Sequence, residues 1–165
     1  MNEIFIRRSI RKYDNQPVEK EKIDQLIRAA MQAPSAGNQQ PWEMIIVQNK
    51  EMLKKLSLMS PYSKMIEKAS VAFVFLGNEN VMKYPENWEQ DLSAATQNLL
   101  LQAVELDLGA VWLGVAPLEN RMQYIKDLFQ LPDHVKAFSV VPVGYSDQNK
   151  FTDRYDPTKV HYEVY

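Results

Sequence analysis

From Asp91 to Leu108 the apolar residues Leu92, Ala95, Leu99, Leu100, Ala103, Val104 and Leu106 recur at helical spacing. The stripe they form is wide enough that the helix must be nearly surrounded, because a helix apolar around most of its girth is stable only when other elements cover it. It is therefore expected to be the central core helix, with Gly109 as a natural stop just past its last turn. A second constraint comes from Ser70–Leu76 (SVAFVFL), which is apolar at almost every position. A strand with one wet face would alternate; this run reads as a strand covered on both faces.

The remaining elements follow from periodicity and breakers. Val18–Ala33 is an amphipathic helix with Ile23, Leu26, Ile27, Ala30 and Met31 on one side, entered after Pro17 and ended by Pro34. Glu43–Gln48 (EMIIVQ) reads as a short strand, and Lys50–Leu58 as a helix with Met52, Leu53 and Leu56 inward. Ala110–Val115 (AVWLGV) is expected to be a strand, and Leu118–Leu131 a helix presenting Met122, Ile125, Leu128 and Phe129. Ala137–Tyr145 (AFSVVPVGY) is a last strand, lacking one amide hydrogen bond at Pro142, before a polar tail from Ser146 to Tyr165. Helices and strands mix without a regular βαβ repeat, so the expected class is α+β, with an α/β sheet as the alternative. With no linker, repeat or low-complexity tract, the 165 residues read as a single domain over 1–165.

The residue inventory excludes much chemistry. The chain has no cysteine, which removes thiolate metal sites, iron–sulfur ligation and cysteine nucleophiles. Its two histidines read as a surface loop residue (His134) and a solvated or interface residue (His161), so no metal site is expected. A net charge of −2 argues against nucleic acid and anionic membrane as partners, and no segment approaches the roughly 18 apolar residues of a membrane span. The expectation is a soluble cytoplasmic protein. No Walker loop, G-x-G-x-x-G, H-E-x-x-H or G-x-S-x-G is present. An enzyme built from these residues would have to borrow its hard chemistry.

Four stretches carry the right equipment for that. Arg7-Arg8-Ser9-Ile10-Arg11-Lys12 concentrates cations with no acid nearer than Glu3 or Asp14, and arginine forks with a hydroxyl suit a phosphate; a solvated basic face is the bland reading. Pro34–Trp42 (PSAGNQQPW) packs turn formers, three side-chain amides and an aromatic into one loop, and amides can read the edge of a planar heterocycle. Val111–Pro117 (VWLGVAP) runs a strand into Gly114, where a ligand can approach bare backbone; a ligand-free bulge is equally compatible. Arg154 and Lys159 lie in the tail among aspartates, where plain surface ion pairs are the alternative.

Together RRSIRKYD, APSAGNQQPW, the long helix ending in LG before AVWLGVAP, the VVPVGY strand and a late arginine resemble the flavin-dependent nitroreductase family over nearly the whole chain. The resemblance implies an α+β fold with a central, mostly antiparallel sheet surrounded by helices, and an intertwined homodimer with FMN at the subunit interface. It implies that Arg7, Arg8 and Ser9 hold the FMN phosphate and ribityl chain, joined by Arg154, with Arg11 near the N1–C2 carbonyl edge. Pro34, Ser35 and Asn38 would meet the flavin from the other subunit, and Leu113, Gly114 and Val115 would lie along the ring. A positive charge near N1 would stabilise the charge that develops when the ring accepts a hydride. The chain is short for the family, so a small cover drawn from Pro61–Lys68 or Val81–Trp88 is expected, with Tyr62, Tyr84 and Trp88 as substrate contacts; core or dimer packing is the other reading of these aromatics. The implied activity is NADH- or NADPH-driven reduction of a nitroaromatic, quinone or similar small-molecule acceptor. Reductive dehalogenation and flavin fragmentation are compatible with the same resemblance. A flavin-binding protein without turnover, serving storage or regulation, is the alternative of a different class.

Overall fold

The computed structural model describes residues 3–148 and 152–165, so part of the polar tail lies outside the described residues. Five α-helices are present among them: α1 (Glu3–Ile6), α2 (Lys20–Met31), α3 (Lys50–Leu56), α4 (Trp88–Glu105) and α5 (Glu119–Phe129). The strands are β1 (Trp42–Val47), β2 (Val71–Asn78), β3 (Gly109–Ala110), β4 (Leu113–Gly114) and β5 (Val135–Gly144). They form one sheet in the order β1-β2-β5-β3, with β4 also pairing β5. Every strand pairing among the described residues is antiparallel, with one isolated parallel bridge from Ser9 to Ala110. This is the α+β arrangement rather than the α/β alternative.

Strand β2 is covered on both sides, as its composition requires. Val71, Phe73 and Phe75 point into a core built with α2 and α4 through Leu26, Ala30, Leu92, Ala95 and Leu99. Ala72, Val74 and Leu76 point the other way, into a second core with Leu53, Leu56, Ile66 and Ile125. The pleat sends successive side chains to opposite faces, so an unbroken apolar run supplies two cores at once. Helix α4 packs against α2 and the sheet and buries Leu92, Ala95, Leu99, Leu100 and Ala103.

Two expectations need correction. Helix α4 does not end on Gly109. Asp107 takes the left-handed conformation (φ 59°), its N–H donates to Val104 O (3.0 Å), and Leu108 N–H donates to Ala103 O (2.7 Å), which is the Schellman closure with aspartate at C′. Gly109 serves packing instead, since a Cβ there would lie 2.5 Å from Ile10 Cγ2.

The expected strand over Ala110–Val115 is also broken, into β3 and β4. Both pieces keep one register on β5, Ala110 opposite Val143 and Leu113 opposite Val140, so Val111 comes opposite Pro142. Proline has no N–H to donate to the ladder. The Pro142 carbonyl instead accepts from the Tyr13 hydroxyl at 3.1 Å.

Candidate functional site

The N-terminal cluster is held at the sheet edge. Ile10 N–H donates to Ala110 O (2.9 Å), which docks the Arg7–Lys12 segment beside β3. Just above, a cleft of about 630 Å³ is lined by Arg8, Ser9, Ile10, Arg11, Lys12, Asp147, Gln148 and Arg154. Arg8 Nη1 donates to Arg7 O (2.6 Å) and Phe5 O (3.3 Å), and Arg11 Nη1 to Ser9 O (3.3 Å). Gln148 Oε1 accepts from Arg11 N–H (3.3 Å) and ties the tail to the same segment.

The electrostatics of this corner bear on Arg7 most. Burial, then Arg154 and then Arg8, pulls the Arg7 guanidinium below its ordinary range. Three like charges gathered from the two ends of the chain stabilise an anion placed among them and repel one another without it. Arg8, Ser9, Arg11 and Arg154 thus share one cleft, and Arg7 meets Arg8 and Arg154 in a second, smaller cavity that Asp153 also lines.

The Pro34–Trp42 loop is built differently from the expectation. Of its amides, Gln39 is buried and fully occupied inside the chain: its Nε2 donates to Asp91 Oδ2 (2.6 Å) and Tyr84 O (3.0 Å), and its Oε1 accepts from Lys83 and Tyr84 N–H (both 2.8 Å). Asn38 and Gln40 stay outside, where Gln40 Nε2 donates to Asn38 Oδ1 (3.2 Å). Pro34 is exposed and Ser35 half-buried, its Oγ accepting from Gln40 N–H (3.0 Å).

Along β4, Leu113 and Gly114 are half-buried, whereas the Val115 side chain is inside the second core and offers only backbone. Arg121 Nη1 donates to the Gly114 carbonyl at 2.8 Å. A Cβ built on Gly114 would meet nothing within 4 Å. Among the described residues none lies close enough to exclude a side chain there, so the Gly114 backbone is open to close approach.

None of Pro34, Ser35, Asn38, Leu113, Gly114 and Val115 lines the arginine cleft. The aromatics divide. Tyr62 is 74% exposed on the Ser60–Ser63 turn. Tyr84 is exposed with its ring against Gly37, and Trp88 packs edge-on to Phe138 (5.8 Å) with Lys136 Nζ 5.9 Å from its ring. Asp147, Gln148 and the buried Gln39–Asp91 pair were not foreseen from sequence. Asp91 left one trace there, a carboxylate one helical turn before Ala95 on the apolar stripe.

Residues 4–60 and 61–145 match the nitroreductase family. The chain belongs to that family. As a nitroreductase-family member it is 47% identical, over 97% of its length and 84% of the relative's, to a protein of Methanothermobacter thermautotrophicus provisionally named NADH dehydrogenase/NAD(P)H nitroreductase. Among solved structures it resembles one provisionally described as an NADH oxidase of Clostridium acetobutylicum, with a TM-score of 0.97 and 51% identity over 99% of both chains. An FMN-dependent nitroreductase of Clostridium difficile R20291 superposes with a TM-score of 0.92 at 32% identity, again over 99% of each chain. The nitroreductase fold of this chain is thus shown, and no helix among its described residues is long and apolar enough to cross a membrane.

Proposed function

We propose that this nitroreductase-family chain is an FMN-dependent NAD(P)H oxidoreductase acting on nitroaromatic, quinone or similar acceptors. The observation that carries the reading is the corner where Arg7, Arg8 and Arg154 converge, three guanidinium groups beside Asp147 and Asp153 that a phosphate monoester would bridge. When bound, FMN would supply the centre that takes a hydride from the nicotinamide and passes electrons to the acceptor. Arg7, Arg8 and Arg154 would grip its phosphate, with the Ser9 hydroxyl as a further donor. Arg11 would bring a fixed positive charge to the N1–C2 edge, where negative charge develops on reduction.

The open space at Gly114 supports close approach of a flat ring to β4, with Leu113 and the Val115 backbone beside it. Pro34, Ser35 and Asn38 of the partner subunit would complete the site in a homodimer. Support for a second copy comes from the terminal segments, which leave Phe5, Tyr155, Tyr162 and Val164 largely exposed. Of Tyr62, Tyr84 and Trp88, the aromatics that would contact the acceptor, Tyr84 sets its ring against Gly37 of the Pro34–Trp42 loop.

The test is direct. Purified protein should be yellow or take up added FMN, and NADH or NADPH should bleach its visible bands under anaerobic conditions until an acceptor restores them. Colourless protein that takes up no FMN overturns the reading.

A further inference from the structure

The Ser35–Gln40 loop is an improbable piece of backbone. Gly37 (φ 52°), Asn38 (φ 54°) and Gln40 (φ 47°) all lie in the left-handed region. Two of the three carry side chains, and such residues persist there only when their surroundings over-determine them. Within the loop the Ser35 hydroxyl accepts Gln40 N–H (3.0 Å), and one carboxylate and one amide tie the loop to the rest of the chain. Asp91, 4% exposed in the first turn of α4, accepts Ala36 N–H on Oδ1 (2.9 Å) and Gln39 Nε2 on Oδ2 (2.6 Å). Gln39, 6% exposed, then reaches across to Lys83 and Tyr84, using its oxygen for both N–H groups and its nitrogen for the Tyr84 carbonyl. The Tyr84 ring lies where a Cβ on Gly37 would be, so only glycine admits it.

Burying a carboxylate is costly unless it is satisfied, and a helix N-terminus with amide donors is a setting that satisfies it. An apolar residue at position 91 would avoid that cost but would leave the loop and the Tyr84 segment unjoined. Of the two stretches expected to cover the flavin, only Val81–Trp88 is hydrogen-bonded to this loop among the described residues.

We propose that Gln39 and Asp91 are positioning residues that lock the Ser35–Gln40 loop to the Tyr84 segment, so that Ser35, Asn38 and Tyr84 are presented to the flavin as one preformed unit. This rests on the FMN reading above. Neither residue touches the cofactor; both act by removing the loop's other conformations, so a ligand does not have to order it.

The test is FMN titration of the flavin-free full-length chain by fluorescence quenching, with thermal melting alongside. Gln39→Met, which removes every hydrogen bond of the Gln39 side chain at similar volume and leaves Ala36 N–H on Asp91, should weaken FMN binding roughly tenfold or more at temperatures well below its melting point. Gln39→Glu sets a second carboxylate against Asp91. At about pH 8 the two repel and FMN binding should be as weak as in Gln39→Met, whereas at about pH 5 a proton shared between them restores the bond to Asp91, with the Lys83 and Tyr84 N–H groups still accepted and only the bond to the Tyr84 carbonyl lost, so affinity should rise part of the way to wild type. That pH-dependent recovery is a readout that a merely structural role would not move, and it serves even where Gln39→Met does not fold. Wild-type-like FMN affinity in both variants, with only the melting temperature lowered, overturns the inference and leaves the FMN reading standing. A Gln39→Glu affinity that tracks wild type in parallel across pH overturns it as well. Failure of the wild-type chain to bind FMN overturns the reading beneath it.

Discussion

Arg154 stands close enough to Arg7 to add to burial in pulling the Arg7 guanidinium below its ordinary range, although nearly the whole chain separates the two in sequence. Such a pair relieves strain when an anion arrives and imposes it when none is present. Arg154→Ala should therefore leave the flavin-free protein as stable as wild type or slightly more so, while FMN affinity falls roughly tenfold or more, in line with the loss of a charge-assisted hydrogen bond. Riboflavin, which lacks the phosphate, should bind both forms alike. Melting curves and parallel FMN and riboflavin titrations check this; an equal loss for both flavins would place Arg154 away from the phosphate.

Two glycines on neighbouring short strands should respond oppositely to one methyl group. Gly109→Ala drives a Cβ to 2.5 Å from Ile10 Cγ2 and 2.9 Å from Ile10 Cβ, and overpacking of this kind costs about 1–3 kcal/mol. Gly114→Ala meets open space, so stability should stay within about 0.5 kcal/mol of wild type, with FMN affinity reduced. Chemical denaturation and flavin titration of the two variants separate a packing glycine from a ligand-facing one.

Tyr13 is buried, and its hydroxyl sits 2.8 Å from Ile10 O and 3.1 Å from Pro142 O. Burial pushes its phenol well up, against the weaker pull of Arg11, so the hydroxyl keeps its proton to donate. Tyr13→Phe removes that donor and should destabilise by about 1–3 kcal/mol. At roughly 2–4 °C per kcal/mol for a chain of this size, calorimetry resolves the change. An unchanged Tm would mean that the two carbonyls find other donors.

The Tyr145 hydroxyl donates to Glu19 Oε2 (2.8 Å) and accepts from Lys22 Nζ (2.9 Å), which also caps the Leu106 carbonyl (2.8 Å). The bond from Tyr145 holds the Glu19 carboxyl below the usual glutamate range, and the same hydroxyl raises Lys22. The Glu19 contribution is therefore present above the ordinary carboxylate range near about pH 4 and is lost as pH falls through the lowered folded value. The Lys22 contribution is complete below the ordinary lysine range and fades only as pH rises through the raised folded value. Tyr145→Phe should lower Tm modestly at neutral pH, since these groups face water, and the deficit should narrow toward about pH 3. Melting curves across pH decide it; a deficit of constant size would show that the ring, not the hydroxyl, matters.

What the sequence makes legible is periodicity and local chemistry. The two-sided burial of Val71–Leu76 and the inward face of α4 follow from apolar spacing, and the Arg7–Lys12 cluster stands out by its freedom from acids, whereas Arg154, set among aspartates, is singled out only by the family resemblance. What stays hidden is pairing across distance. Nothing near Gln39 in the chain announces that its amide is consumed by Asp91 and the Tyr84 backbone, so it reads as a spare donor rather than an internal strut. The break between β3 and β4 is equally non-local, because the proline responsible lies on β5. Helix ends mislead for a subtler reason: Gly109 suits a stop, but aspartate tolerates the left-handed turn well enough to take it two residues earlier, and a close neighbour elsewhere claims the glycine.

The partition of β2 also governs how this protein can change over time. Its odd-numbered residues answer to α2 and α4, its even-numbered residues to α3 and α5, and the sheet keeps the two sets apart. Substitutions on one side should combine with those on the other nearly additively, because they share no neighbours. Drift in the layer behind the sheet can therefore proceed with little effect on the layer that carries the Gln39–Asp91 strut. A one-residue insertion within Val71–Leu76 is the exception, since every side chain on one side of it changes compartment at once.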